Sequence, residues 1–243
     1  MEHFQAQRNY RKCFEFYLFG GKDLFVSGIQ SRCRKSFRLF AYTGDTLEKY
    51  LPVPESGMQT PVESVTKNFS RVGGYLHLHE ALNDTIYQIG PNSIAPVYKI
   101  DFGKYAIPAD VLQLEDEFKM MKVLNEEKYA NINSYFENDT YLIFKFHLEG
   151  RGYYFFQNKQ SRKSVLAKSF KNDINYFPFG EPMALTRDNK LIVKTAPYRI
   201  LDREKTLYDK EVVDEQKLAG FYRLSKNITS YSNPVVFVYQ LDF

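Results

Sequence analysis

Short apolar, aromatic-rich runs recur along this chain, and each pair folds back through a brief polar turn. In the first set, runs at 14–19 and 24–26 flank Gly20-Gly21, and runs at 37–42 and 46–50 flank Thr43-Gly44-Asp45. The second set places 69–72 and 75–78 around Gly73-Gly74, then 85–89 and 97–102 around Gly90-Pro91-Asn92. A third places 132–136 and 141–148 around Glu137-Asn138-Asp139, then 153–157 and 164–167 around Asn158-Lys159. The fourth has 183–186 and 190–195 around Asp188-Asn189, a run at 198–201, and a last run at 234–243. Gly, Asn and Asp between apolar runs signal hairpins, because they accept the backbone conformations that tight turns demand.

The second turns of the sets fall near Gly44, Gly90, Asn158 and Asp202, at intervals of 46, 68 and 44 residues. Within the long interval, residues 109–128 read as a helix. Val111, Leu114, Phe118 and Met121 make one apolar stripe, with Pro108 and Asp110 suited to its start. A second helix is expected over 210–218. Without the insertion the spacing is about 45 residues, the period of four-stranded propeller blades. Tyr141-Leu142-Ile143-Phe144 and Val235-Val236-Phe237-Val238 are continuous rather than alternating, which predicts cover on both strand faces. The expected fold is therefore all-β: a β-propeller or partial propeller of about four four-stranded antiparallel blades, with one or two inserted helices. It forms a single domain over 1–243, with blade-like units at 14–54, 68–102, 132–170 and 176–243 and the helical insertion at 109–128.

Composition narrows the function classes. The 243 residues include 21 Phe and 19 Tyr but no Trp, a load that suits strands. A chain of this length buries roughly 70–75% of its unfolded surface and needs no staples. Lys and Arg number 33 against 29 Asp and Glu, and this small, scattered excess gives no nucleic-acid footprint. The densest basic patch, Arg32, Arg34, Lys35 and Arg38, reads as a solvated loop, with an anion site as the alternative. Cys13 and Cys33 have no metal-ligand spacing; they are two separate thiols or one disulfide, and do not decide the compartment. The first thirty residues hold no charged-then-apolar leader, and no window reaches the length of a membrane span.

A resemblance emerges from these residues. Val97-Tyr98-Lys99-Ile100-Asp101-Phe102-Gly103-Lys104-Tyr105 precedes Ile107-Pro108, and Tyr135-Phe136-Glu137-Asn138-Asp139 precedes an aromatic strand. With the closing Asn233-Pro234-Val235-Val236-Phe237-Val238-Tyr239-Gln240-Leu241, they resemble the six-bladed β-propeller proteins of Bacteroidales bacteria. The match runs from about Phe14 onward. The resemblance implies an NHL-type propeller, commonly exported and lipid-anchored, in the cell envelope, periplasm or on the surface, with no established reaction and no catalytic residues to carry over. Four blade-like units against six make an arc that closes tightly, pairs with another chain or, as the favoured expectation, is the C-terminal part of a longer propeller. An unclosed arc exposes strand edges and an apolar flank, which predicts self-association.

Candidate chemistry is sparse. His77 and His79 share one face of a strand beside Glu80, but a metal needs further ligands and none has a recognisable spacing. His147 reads as a strand-end residue rather than a general base. No nucleophile elbow, P-loop or dinucleotide fingerprint occurs, and Gly20-Gly21-Lys22 and Gly73-Gly74 read as turns. Tyr153-Tyr154-Phe155-Phe156 reads as packing between blades, with a sugar- or base-stacking surface as the alternative. Asp45-Thr46-Leu47 and Asp84-Thr85-Ile86 look like short O-glycosylation acceptors of Bacteroidetes, although Asp-Thr is also ordinary turn chemistry. The expectation is a binding module for a small molecule, glycan or protein, with no catalytic residue, metal or cofactor assigned. The alternative is a metal-assisted lactonase- or lyase-like propeller enzyme acting on carbohydrate; a third reading is a structural piece of a larger assembly.

Overall fold

The computed structural model describes residues 14–19, 22–27, 37–43, 46–52, 69–79, 82–90, 93–114, 116–126, 128–207 and 214–243. Side chains before residue 69 lie outside this description. The described chain is mostly β, an all-β architecture of four small antiparallel sheets with a few helices. The first sheet contains β1 (Phe14–Phe19), β2 (Lys22–Ser27), β3 (Phe37–Thr43) and β4 (Thr46–Pro52), paired in sequence order. In the second, β5 (Phe69–Val72), β6 (Tyr75–His79), β7 (Thr85–Ile89) and β8 (Ile94–Lys99) follow the same order. The third runs β12-β11-β10-β9, from β9 (Asn131–Glu137), β10 (Tyr141–Leu148), β11 (Arg151–Asn158) and β12 (Ser164–Ala167). The last has three strands, β13 (Glu181–Leu185), β14 (Lys190–Thr195) and β15 (Val235–Gln240).

Two compact units divide the chain: residues 1–66, 78–132 and 148–150, and residues 67–77, 133–147 and 151–243. In the first, Leu82, Val111, Met120 and Leu124 form a buried cluster, flanked by Ile107, Leu112, Leu114, Val123 and Tyr129. Helix α1 covers only Glu117–Glu126, after a 3-10 turn at Val111–Gln113 and an extended Leu114. That break resets the helical phase. Met120 and Leu124, one turn apart, therefore face the cluster, while Phe118 is 88% exposed. The expected stripe carried Val111 and Leu114 on to Phe118 through one continuous helix, which the extended Leu114 interrupts.

The second unit has two cores. Phe136, Tyr141, Ile143, Phe156, Leu191 and Val193 join residues of β9, β10, β11 and β14, with Tyr154, Phe170, Phe179 and Tyr239 packed around them. Each fully buried Phe, Leu or Ile here contributes about 1.5–3 kcal/mol from burial. Residues Tyr141 to Phe144 are all buried, so this continuous run is covered on both faces. The run in β15 behaves differently: Phe237 turns inward, but Val236 and Val238 are exposed. Continuous hydrophobicity overstated its cover, because among the described residues only the Val235 and Phe237 side meets a packed cluster.

That second cluster, Phe177, Ile200, Leu207 and Phe221, rests on two helices, α2 (Pro197–Leu207) and α3 (Glu215–Ser225). Residues 198–201 are thus helical rather than a strand. Pro197 opens the helix with its φ already set, and Ile200 and Leu207, seven apart, share its buried face. A four-residue apolar run alone cannot distinguish these periods. Asp214 caps α3 by accepting from the backbone N–H groups of Gln216 and Lys217, so this helix starts later than 210 and reaches Ser225.

Gly180 enters β13 so close to β14 that a β-carbon there would collide with the Lys194 carbonyl and the Thr195 hydroxyl. Gly180→Ala should lower unfolding free energy by about 2 kcal/mol or more, since backbone cannot yield as a side chain does. Chemical denaturation reads this as a lower midpoint at unchanged slope; an unchanged midpoint would mean the strands separate at little cost.

Candidate functional site

The most unusual chemistry in the second unit is a carboxylate with no access to water. Along β9 side chains alternate, so Phe136 enters the apolar core while Tyr135 and Glu137 share the opposite face. Glu137 is 3% exposed. Its Oε2 lies 2.6 Å from His77 Nδ1 and accepts a hydrogen bond from the Tyr135 hydroxyl. Lys159 Nζ donates to Oε1 at 2.8 Å, and the Glu137 backbone N–H donates to Ser70 Oγ at 3.0 Å. Strands β5, β6 and β9 and the β11–β12 turn therefore converge on one acid. Burial pushes this carboxyl up, but hydrogen bonds from His77, Lys159 and Tyr135 outweigh it and hold the group below its usual value. The carboxylate is charged and satisfied; chemically it is a fastening.

The turns beside it are fastened too. Asp139 Oδ1 accepts from the Gly73 backbone N–H at 2.7 Å, linking the β9–β10 turn to the β5–β6 turn. Gly73 holds φ +56, which glycine reaches without a β-carbon penalty. Asn138 Oδ1 accepts from the backbone N–H groups of Thr140 and Tyr141, and its Nδ2 donates to the Thr186 carbonyl and Asn189 Oδ1 of the β13–β14 turn. From there the Leu241 N–H donates to the Asn189 carbonyl, and Asn158 Nδ2 donates to the Phe243 carbonyl. Turns from three sheets and the last residues of the chain thus form one hydrogen-bonded rim. Arg187 and Asp188 stand exposed on it, and Lys190 at 2.6 Å holds the Asp188 carboxyl down at about 2.

A single family model matches residues 5–240, described as Domain of unknown function (DUF4934). The chain belongs to that DUF4934 family. No curated protein matches it in sequence. Its fold is similar to the crystal structure of a candidate exported protein from Bacteroides fragilis NCTC 9343, at 15% identity and a TM-score of 0.71. That likeness covers 98% of the DUF4934 chain and 68% of the other, and at such identity it shows a shared fold alone.

The remaining sequence candidates in this DUF4934 chain have other occupations. His79 is two residues from His77, yet its Nε2 donates to the Asn83 carbonyl at 3.1 Å, and burial drops its pKa to about 4. Among the described residues no three His, Cys, Asp or Glu gather as metal ligands. His147 is exposed at the end of β10 near Lys145 and Glu181, its pKa lowered by partial burial and by the lysine charge. Tyr153 stacks on Phe146 and Phe155 on Phe144, at 5.3 and 4.8 Å between ring centres, while Tyr154 and Phe156 join the core. Tyr153, Tyr154 and Phe155 remain half-buried, and Phe156 is buried. Asp84 precedes β7, Thr85 opens the strand with its hydroxyl donating to the Asp84 carboxyl, and Ile86 is fully buried. Cys13, Cys33, Arg32, Arg34, Lys35, Gly20, Gly21, Glu80 and Asp45 lie outside the described residues, as do the side chains of Arg38, Thr46 and Leu47. Among the described residues, no helix is long and apolar enough to cross a membrane.

Sequence reasoning placed Glu137 in a turn and did not pair it with Lys159 or His77. Those contacts join residues 22 and 60 positions apart, which no local pattern signals. Glu137→Gln should cost about 3 kcal/mol, because it leaves Lys159 facing a neutral partner. Glu137's folded pKa is depressed, so its contribution is present above its ordinary 4.5 and is lost as pH falls through the lower folded value. Urea midpoints of wild type and variant should therefore converge in strong acid; a constant gap across pH would show that the charge carries nothing.

His79 has the opposite logic. The unfolded chain takes up its proton near 6.5 and the folded chain only near 4, so stability should fall as pH drops through that window, by about 3 kcal/mol in full. In His79→Gln, whose amide can still donate to Asn83, that slope should vanish between pH 6.5 and 4; persistence would assign it elsewhere.

Proposed function

We propose that this DUF4934 chain is a ligand- or protein-binding module of β-propeller type, related to the six-bladed NHL-like propellers, with the turn rim as its receiving end. The observation that carries this reading is the hydrogen-bonded chain from Gly73 through Asp139, Asn138 and Asn189 to Leu241. It holds exposed loop side chains such as Arg187 and Asp188 on a fixed base, the arrangement recognition surfaces need. Sheets built from consecutive strands, with residues 141–144 covered on both faces, support a radial arrangement of blades. The burial of Glu137 and its three side-chain partners support a fastening rather than an acid–base centre at that spot. Similarity to a candidate exported protein favours a place in the cell envelope or outside the cell, an argument by analogy.

Screening the purified chain against arrays of glycans and peptides tests the reading. Saturable binding is expected, weakened about tenfold by Arg187→Ala or Asp188→Ala with the unfolding midpoint unchanged. Chelator-sensitive turnover of a lactone or polysaccharide would establish the carbohydrate enzyme instead. Binding indifferent to every rim substitution would move the receiving surface elsewhere.

A further inference from the structure

From Gly150 to Asn172 the chain carries six basic residues (Arg151, Lys159, Arg162, Lys163, Lys168 and Lys171) and no Asp or Glu. The basic patch that the sequence reading singled out lies elsewhere, between Arg32 and Arg38, because pattern alone does not show where a strand edge falls. Lys159 is occupied by Glu137. Arg162 and Lys163 stand exposed just before β12, and Lys168 and Lys171 just after it. Between these pairs, β12 is the edge strand of its sheet among the described residues, with β11 on its other side. Val165 is 48% exposed and Leu166 62%.

The edge is well held. Asn158 Oδ1 accepts from the backbone N–H groups of Gln160 and Ser161, and the Asn158 N–H donates to the Lys163 carbonyl at 2.9 Å. After the strand, Phe170 anchors the chain against Tyr154, Phe156 and Phe179. A strand edge with unpaired backbone groups accepts another strand, and here it has apolar side chains at its centre and like charges at both ends. A second copy of this chain is disfavoured as occupant, because pairing β12 with itself would set lysines and arginines against each other.

We propose that the β12 edge is a docking site for an extended acidic peptide segment of a partner protein, which adds as a fifth strand. The complementary segment has a short apolar centre and acidic residues at each end, about 17 Å apart, matching the rise from Lys163 to Lys168. Main-chain bonds to β12 would give affinity, and the four basic side chains would select the partner and speed its arrival at low salt. This surface adjoins the turn rim at Asn158, so Arg187→Ala and Asp188→Ala, which lie off the β11–β12 turn, separate failure of the rim from failure of this site.

The test is fluorescence polarisation with the labelled peptide Glu-Asp-Val-Thr-Val-Thr-Asp-Glu on the full chain. Saturable, salt-sensitive binding is expected, weakened about tenfold or more in Lys163→Glu/Lys168→Glu, with circular dichroism and melting unchanged. An alternately N-methylated version of the peptide should lose binding on the wild-type chain, which tests the strand addition without any variant. Absence of binding up to millimolar peptide overturns the proposal. So does equal binding of the N-methylated peptide. A short DNA duplex that displaces the peptide and binds tighter, with the same loss on charge reversal, assigns the patch to a polyanion instead and overturns it too.

Discussion

A carboxylate sealed from water has to be answered where it lies, and this constraint organises the second unit. Glu137 meets an imidazole, a phenol and an ammonium, drawn from β6, β9 and the β11–β12 turn. Removing a charged acid from solvent costs several kcal/mol, and the cost is recovered only if each partner arrives in register. The cluster is accordingly sensitive to the placement of all three elements at once. It sits at the end of β9, directly before the turn in which Asn138 and Asp139 bind the neighbouring hairpins. The buried acid and the polar rim are one continuous structure.

Apolar packing supplies the bulk of the stability, and the polar contacts supply its specificity. Phe136 faces the core from the same strand that presents Glu137 to the opposite side, so β9 is committed on both faces. By contrast, β12 and β15 are edge strands whose apolar side chains remain partly exposed. Among the described residues, the second unit thus combines a heavily constrained interior with less constrained edges, β12 and β15 among them. Of these, β12 alone is bracketed by exposed basic residues on both sides.

Much of the strand layout was readable because its signals are local. Gly73-Gly74, Asn138-Asp139 and Asp188-Asn189 announce turns by their own backbone preferences, and the apolar runs beside them fall in strands. Where local signals compete, reading failed. Tyr198 to Leu201 is as apolar as a strand, but Pro197 and the later Leu207 make it a helix. Phe118 extended a plausible stripe, until an extended Leu114 broke the phase. In β15 hydrophobicity was continuous while cover was one-sided, because cover depends on neighbours and not on composition.

The amino-acid order by itself determined a mostly β chain with hairpins at Gly- and Asn-containing turns, since period and turn chemistry act over a few residues. Only the tertiary structure decided which polar residues work together. His77 and His79, adjacent in pattern, serve different partners, while Glu137, Lys159 and His77, distant in sequence, share one bond network. Strand pairing brings together residues by register and sheet order, quantities set by the whole fold. A charge run or a histidine pair acquires its meaning only once that register has placed it on an edge, on a rim or beside a buried acid.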